Sequence, residues 1–480
     1  MRPLAIYKVV VSFLFALSSS LVVPLLYSLW VGDGNYKDFL IPLLVIFLLF
    51  FPSLKLKFED LNLKEAILSV VLVWFLFPAI ASSVYILGAH IKDPIDAYFE
   101  AVSGFTTTGA TILTNIEAVD NSVLLWRSLT QWLGGLGFIV FSFSVLPFIR
   151  LSYHLVKFES SAVVQERISP RIGEVVRIIL SIYVAITLVG ILLLRLAGMD
   201  WYDAVNHVFA AISTGGFSPK NLSVGAFNSF PVELVLEAVM LLGSINLMVY
   251  YRAYKMRKPL MVLTYFESRS LLLITLLGTL IATAILWFNH YYPSLWEDFR
   301  YALFQVVSAT TTTGFANTDF SLWPPAAQAL LFILTFIGGS SSSTAGGIKQ
   351  FRFNILLKTA LGELKKTLHP RLVIRYEVGG KTVDINLLYG VLAFVFIYIS
   401  TFVIFGFLLT LSGNDLITAF SASIACLTSF GPGLAKVGPM NNYEFMTDFD
   451  KFLLAVEMVM GRLEIFPVLA LFYAFLLERD

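Results

Sequence analysis

SGFTTTGAT at residues 103–111 decides how this chain is read, because its outline returns three more times. ISTGGFS (212–218), TTTTGFANTD (310–319) and TSFGPGL (428–434) align with it, without gaps, on the glycines Gly109, Gly216, Gly314 and Gly431. Sixteen residues before each glycine stands an aspartate (Asp93, Asp200, Asp298, Asp415), and twelve before each an alanine (Ala97, Ala204, Ala302, Ala419). Three and two residues before it, every loop carries a hydroxyl pair: Thr106-Thr107, Ser213-Thr214, Thr311-Thr312 and Thr428-Ser429. A lone Gly-Thr loop reads equally well as a tight turn between two helices. Four that share aspartate, alanine, hydroxyls and glycine in one register read as four equivalent parts around one axis.

The rest of the chain says where those parts sit. Of 480 residues, 58% are hydrophobic and only 14% charged, with a mean hydropathy of +0.81. That composition identifies an integral membrane protein. A net charge of +1 and the lack of a basic stretch with interleaved aromatics point away from nucleic acid as a partner. The single cysteine, Cys426, excludes an intrachain disulfide and any cysteine metal cluster. The five histidines are scattered without ligand spacing, and no nucleophile–base pair or paired carboxylates mark an enzyme.

Ten apolar stretches approach or exceed the ~20 residues needed to span a bilayer. They fall at about 4–30, 36–53, 64–90, 122–147, 176–197, 229–250, 268–290, 324–345, 384–411 and 449–477. The first begins like a signal peptide, with Arg2 as its charged start, but runs on to Trp30 without a clear small-residue cleavage site, and is kept as a helix. Most of the 33 Lys and Arg, including Lys8 and the segments 55–64, 150–177, 252–269 and 349–381, fall on one side. The positive-inside rule makes that side cytoplasmic. Ten spans then place both termini inside and all four glycine segments outside.

Each repeat reads as an outer helix, a short segment ending at the glycine, and a second helix. The aspartates are expected N-caps, since a carboxylate there accepts a free backbone N–H and complements the helix dipole. Pro94 sits where proline favours a helix start. About twelve residues separate cap from hydroxyl pair, or ~18 Å of helix, too short for a ~30 Å hydrocarbon core. The short helix therefore enters part-way and returns, and its loop must line protein or water rather than lipid. Four helix C-termini converging on an axis favour a cation. Rings of backbone carbonyls strip the hydration shell of potassium in known filters. The expected filter residues are Thr107, Thr108 and Gly109; Thr214, Gly215 and Gly216; Thr312, Thr313 and Gly314; and Ser429, Phe430 and Gly431. Ala110, Phe217, Phe315 and Pro432 follow the glycines, so only one ring of four glycines is common to all corners, and discrimination against sodium is expected to be imperfect. Lys220 and Lys436 stand just beyond two of the loops and read either as entrance cations or as solvated side chains.

The span starting near Pro324 is interrupted about fourteen residues in by Gly338, Gly339, Ser340, Ser341, Ser342, Ser343, Thr344, Ala345, Gly346 and Gly347. Glycine costs a helix interior about 1 kcal/mol relative to alanine, so this run predicts a break in the inner half of the membrane. Arg462 lies at a similar depth in the last span, where a charge is expensive and faces the interior or a water path. The expectation is a gate: the segment projects across the pathway and Arg462 pairs with its free carbonyls. The competing readings are a cytosolic linker for the Gly/Ser run, and an ion pair of Arg462 with Glu457, Glu464 or Glu237. Gly134-Gly135-x-Gly137 lies inside an apolar span with no strand before it and reads as close helix packing, not as a nucleotide loop. The basic 349–381 segment reads as a surface for a regulatory partner or for anionic lipid.

The four loops together resemble those of the Trk/Ktr/HKT superfamily of potassium transporters, nearest to its TrkH-type members because two extra helices precede the repeats. The resemblance covers essentially the whole chain. It implies an all-α integral membrane protein with four helix–pore-loop–helix repeats around a pseudo-fourfold axis. The division would be 1–60 for the two-helix segment, then 61–150, 151–257, 258–372 and 373–480 for the repeats. It further implies one potassium pathway per chain, an intramembrane loop and an arginine as gating elements, a homodimer, and a cytoplasmic nucleotide-binding regulator of the TrkA type. No covalently bound cofactor is implied; K+ is the transported ion, and membrane lipid surrounds the protein in the cytoplasmic membrane. Two rival readings are a secondary transporter of another cation or small solute, which normally has two repeats rather than four, and a non-conducting sensor or scaffold.

Overall fold

The computed structural model describes residues 1–144 and 172–476; the basic stretch from Arg150 to residue 171, the end of the 122–147 span, the 150/151 repeat boundary and residues 477–480 lie outside them. α1 (Pro3–Ser18) continues through a tight turn into α2 (Val22–Val31), and α3 (Tyr36–Ser53) packs against both. One order of elements then recurs. α4 (Leu63–Leu87), α5 (Pro94–Phe105) and α6 (Asn121–Ser144) form the first set. α7 (Ile172–Leu196), α8 (Trp201–Ile212) and the pair α9 (Phe230–Gly243) and α10 (Leu247–Met256) form the second. α11 (Phe266–Phe288), α12 (Leu295–Thr310), α13 (Pro325–Ile337) and α14 (Gln350–Leu368) form the third. After a two-residue-strand hairpin at Glu377–Val378 and Lys381–Thr382, α15 (Ile385–Leu411), α16 (Leu416–Leu427), α17 (Asp448–Arg462) and α18 (Phe466–Leu476) form the fourth. The protein is an all-α, multi-pass membrane protein.

Six stretches among the described residues are long and apolar enough to cross a membrane: Pro3–Val31, Tyr36–Ser53, Leu63–Leu87, Gly173–Leu196, Phe266–Phe288 and Ile385–Leu411. Four of these are the outer helices of the four sets. Two stretches read as continuous from sequence are not. The 229–250 stretch bends by 87° between α9 and α10. The 449–477 stretch breaks at Leu463, where Glu464 and Ile465 adopt φ of +58° and +60°. Together with the Gly338–Gly347 break, the second helix is interrupted in the second, third and fourth sets.

The short helices α5, α8 and α16 have 12 residues each and α12 has 16. Asp93 accepts the backbone N–H of Ile95 and Asp96, Asp200 that of Asp203, and Asp415 that of Thr418, at 2.7–3.2 Å. The third helix departs from this pattern. Its cap is Ser294, which accepts from Glu297 N–H, so Asp298 is not an N-cap but a first-turn residue that complements the dipole. Ser294-x-x-Glu297 is the stronger start signal and adds one turn.

The four repeated alanines are fully buried, their small side chains letting neighbouring helices approach each short helix closely. Glycines serve the same end from outside. A β-carbon on Gly134, Gly243 or Gly461 would overlap the carbonyl of Phe105, Ile212 or Leu427, the last residue of α5, α8 or α16. Gly134 and its neighbour Gly135, beside Ser213 and Tyr183, are thus a close-packing seam.

Candidate ion pathway

Each short helix ends in the same way. The first hydroxyl of each pair bonds back four residues: Thr106 to Val102 O, Ser213 to Phe209 O, Thr311 to Val307 O and Thr428 to Ile424 O, all at 2.7–2.8 Å. The next residue turns left-handed, with φ of +56° at Thr107, +53° at Thr214, +53° at Thr312 and +55° at Ser429. Its N–H and the following one then return to the helix, as in Thr107 N to Gly104 O at 3.0 Å and Thr108 N to Ser103 O at 2.9 Å. The other three loops make the same two bonds. This is a Schellman C-cap with a hydroxyl residue where glycine is usual. The left-handed conformation costs an L-residue about 1–2 kcal/mol. Four such residues in equivalent places are held there by their surroundings.

The glycines that follow touch one another's loops in cyclic order. A β-carbon on Gly109 would fall on the carbonyl oxygen of Gly215, one on Gly216 on that of Thr313, one on Gly314 on that of Phe430, and one on Gly431 next to that of Thr108 at 2.5 Å. All four glycines also have φ between +77° and +91°. Glycine is therefore required twice over at each corner, by backbone angle and by space. The four loops, far apart in sequence, meet edge to edge in a closed ring. All four glycines line one cavity of about 110 Å³, together with Arg127, Lys220 and Tyr443.

The two cations lining this cavity are each paired with a carboxylate. Lys220 pairs with Asp203 at 3.1 Å. Arg127 is bonded to Glu100 at 2.5 Å and to Ser218 O at 3.1 Å, and lies 3.5 Å over the Phe217 ring. Lys436 stacks over Phe445 at 5.6 Å.

On the other side of the ring sits the 338–347 segment. Thr344 Oγ1 donates to Ile212 O at 3.0 Å and Gly243 O at 2.9 Å, and Gly346 N–H donates to Thr312 Oγ1 at 2.7 Å. A β-carbon on Gly346 would overlap Thr428 O. The segment is thus pressed against the C-terminal ends of three of the short helices. Arg462 Nη1 reaches the carbonyl of Thr344 at 2.5 Å, and its guanidinium lies 4.6 Å over Phe138. The three glutamates considered as ion partners do not hold it. Glu464 pairs with Arg352 at 2.5 Å, Glu457 accepts from Ser423 at 2.6 Å, and Glu237 lies on α9. Lys349 lies buried close by, donating to Ala345 O at 2.9 Å and placed 4.8 Å over the same Phe138 ring.

Residues 41–480 match the TrkH family, described as cation transport protein. The chain belongs to the TrkH family. It is 34% identical to the Trk system potassium uptake protein TrkH of Halomonas elongata over 96% of each chain, and 32% identical to that of Escherichia coli K12 over 98% of each. The crystal structure of the potassium transporter TrkH from Vibrio parahaemolyticus superposes with a TM-score of 0.89 at 32% identity, covering 98% of both chains.

Within this TrkH-family chain several residues around the ring were not singled out from sequence. Nine positions before the ring glycine stand Glu100, His207 and Gln305, all buried, and each braces the strand of loop beyond the glycine. Glu100 accepts from Thr111 and from Ile112 N–H at 2.9–3.0 Å, His207 Nε2 meets Ser218 Oγ at 3.0 Å, and Gln305 donates to Asn317 at 3.0 Å. In the fourth repeat the position is Ala422, and Tyr443 takes over the bracing by donating to Gly431 O at 2.7 Å. Gln131 spans the second corner, donating to Gly215 O at 2.6 Å and accepting from Phe217 N–H at 3.0 Å. The shared register of Glu100, His207 and Gln305 was a readable signal; the chemistry at the position varies, which hid it.

Proposed function

We propose that this chain takes up potassium across the cytoplasmic membrane, along an axis through the ring of Gly109, Gly216, Gly314 and Gly431. The observation that carries this reading is the cyclic contact of the four loops, in which the carbonyl before each glycine meets the next loop. Thr107–Gly109, Thr214–Gly216, Thr312–Gly314 and Ser429–Gly431 serve as the filter, with backbone carbonyls replacing water around the ion. Potassium is favoured as the cargo because the relatives matched along the full chain are named potassium uptake proteins.

The 338–347 segment is the gate. It lies directly against the cytoplasmic ends of the filter loops, and Arg462 holds its Thr344 carbonyl. Both termini are cytoplasmic, the five-part division at residues 60, 150, 257 and 372 is the functional one, and the protein works as a homodimer opened by a TrkA-type cytoplasmic regulator. The experiment is rescue of growth on low potassium in cells that lack their own uptake systems, with the regulator supplied. Wild type should rescue and Gly314→Ser should not; failure of wild type to rescue or to carry rubidium flux overturns the reading.

A further inference from the structure

The break in the second set, between α9 and α10, meets the break in the third. Ser340 N–H donates to Ser244 O at 2.9 Å, Thr344 N–H to Gly243 O at 3.3 Å, and Leu247 N–H to Ser342 O at 3.1 Å. Two interrupted helices from different repeats are thus stitched together by their own freed backbone groups, which a broken helix must otherwise leave unsatisfied. One side chain joins both. Glu267, fully buried in the first turn of α11, accepts from Asn246 Nδ2 at 2.9 Å and from Ser341 N–H at 2.9 Å. Asn246 is itself the N-cap of α10, accepting from Met248 N–H at 2.9 Å. Three residues on, Ser270 of the same helix holds Gln350, whose own amide donates to Gly338 O at 2.9 Å. The start of α11 therefore grips the first part of the 338–347 segment twice, at Ser341 directly and at Gly338 through Gln350, and through Glu267 it also grips α10.

We propose that Glu267 is the positioning residue that couples α10 to the 338–347 segment, so that α10 and the segment move as one unit; this rests on the reading of the segment as a gate. A carboxylate suits the place. Both of its partners are N–H donors, a charged acceptor makes each bond stronger than a neutral one would, and the N-terminus of α11 supplies favourable dipole for the charge. α10 turns by 87° from α9, buries Leu247, Val249, Tyr250, Tyr251 and Ala253, and carries Arg252, Lys255 and exposed Tyr254 on its remaining face. It is the part of this unit that a cytoplasmic protein can reach, and Asn246 and Glu267 transmit its displacement to the backbone at Ser341.

The test uses the full chain in potassium-loaded liposomes without any cytoplasmic partner, reading rubidium tracer uptake, the potassium-to-sodium ratio, and elution in gel filtration. Glu267→Gln keeps the shape but sets an amide against two donors. It should raise partner-free uptake about tenfold, as expected for the loss of one hydrogen bond to a charged group, with the ion ratio unchanged. Asn246→Asp keeps the cap of α10 and faces Glu267 with a second carboxylate; it should do the same, and it decides alone if Glu267→Gln fails to elute as folded protein. Both variants matching wild type, while deletion of residues 339–345 raises uptake, would leave the gate standing and overturn the coupling. A deletion without effect would bring down the gating reading itself. A spin label at Tyr254→Cys in a Cys426→Ser background should gain mobility in Glu267→Gln. An unchanged line shape beside raised uptake would confine Glu267 to the segment and overturn the role of α10.

Discussion

Arg462 donates from Nη1 to the carbonyl of Thr344 at 2.5 Å, and both residues are buried. A guanidinium has no acceptor capacity and meets a carbonyl that the helix break has left without a helical partner, so the pairing is chemically matched. On the proposed gating reading, its positive charge also repels a permeating cation. Arg462→Gln should lower that barrier and loosen the segment together. The expected result is partner-free uptake raised about tenfold, equivalent to about 1.4 kcal/mol, with the potassium-to-sodium ratio unaltered because the ring is untouched. Tracer flux in liposomes measures both.

Gly314 gives the opposite signature. Its φ of +83° and the Phe430 carbonyl at its β-carbon position both oppose any larger residue. Gly314→Ser should displace one corner of the ring, lowering the potassium-to-sodium ratio about tenfold or abolishing flux, while gating by residues 338–347 persists. Reversal potentials under two-cation conditions read the ratio directly.

Glu100 and Arg127 form a buried pair that ties the first loop to the second. Removing one partner leaves a buried charge alone, and about 3–5 kcal/mol is a reasonable loss. Arg127→Met should therefore lower the thermal unfolding midpoint in detergent more than the double variant Glu100→Gln/Arg127→Met does. Additive losses in the two single variants would show that the pair is not coupled.

Asp415 makes a pH-dependent contribution at the N-terminus of α16. The backbone N–H of Thr418, then its hydroxyl at 2.7 Å, hold the carboxyl below its ordinary value of 3.8. A lowered folded value means that the stabilisation is fully present above about that pH and is lost as pH falls through the folded value. Unfolding of wild type should show this acid loss, and Asp415→Asn should remove its share of the pH dependence while keeping most of the cap.

The corners of the ring were legible because each is written locally: aspartate, alanine, hydroxyl pair and glycine lie within seventeen residues of chain. The breaks were legible only where they too are local. Gly338-Gly339 with its serines announces a helix end. The bend at Ser244 has only Gly243 and Ser244 to mark it, and its remaining support, Glu267 on Asn246 and Ser340 on Ser244, arrives from elsewhere in the chain. At Glu464 and Ile465 nothing local predicts a left-handed pair, least of all the β-branched isoleucine; the Arg352–Glu464 pair and the bond from Ile465 N–H to Met460 O at 2.7 Å accompany that turn. Asp298 misled for a related reason. Repeat register pointed to it, while the local Ser294-x-x-Glu297 pattern pointed one turn earlier, and the local hydrogen bond won.

The closed ring of loops has one more consequence. In a channel assembled from four identical subunits, any change in the pore-lining sequence is copied fourfold, so it acts at every corner at once. Here a single codon reaches one quadrant, and Ala110, Phe217, Phe315 and Pro432 already differ behind an invariant glycine. On the proposed reading of the ring as the filter, affinity and throughput can then be adjusted in quarter-steps, with three corners left to hold the geometry while the fourth is varied.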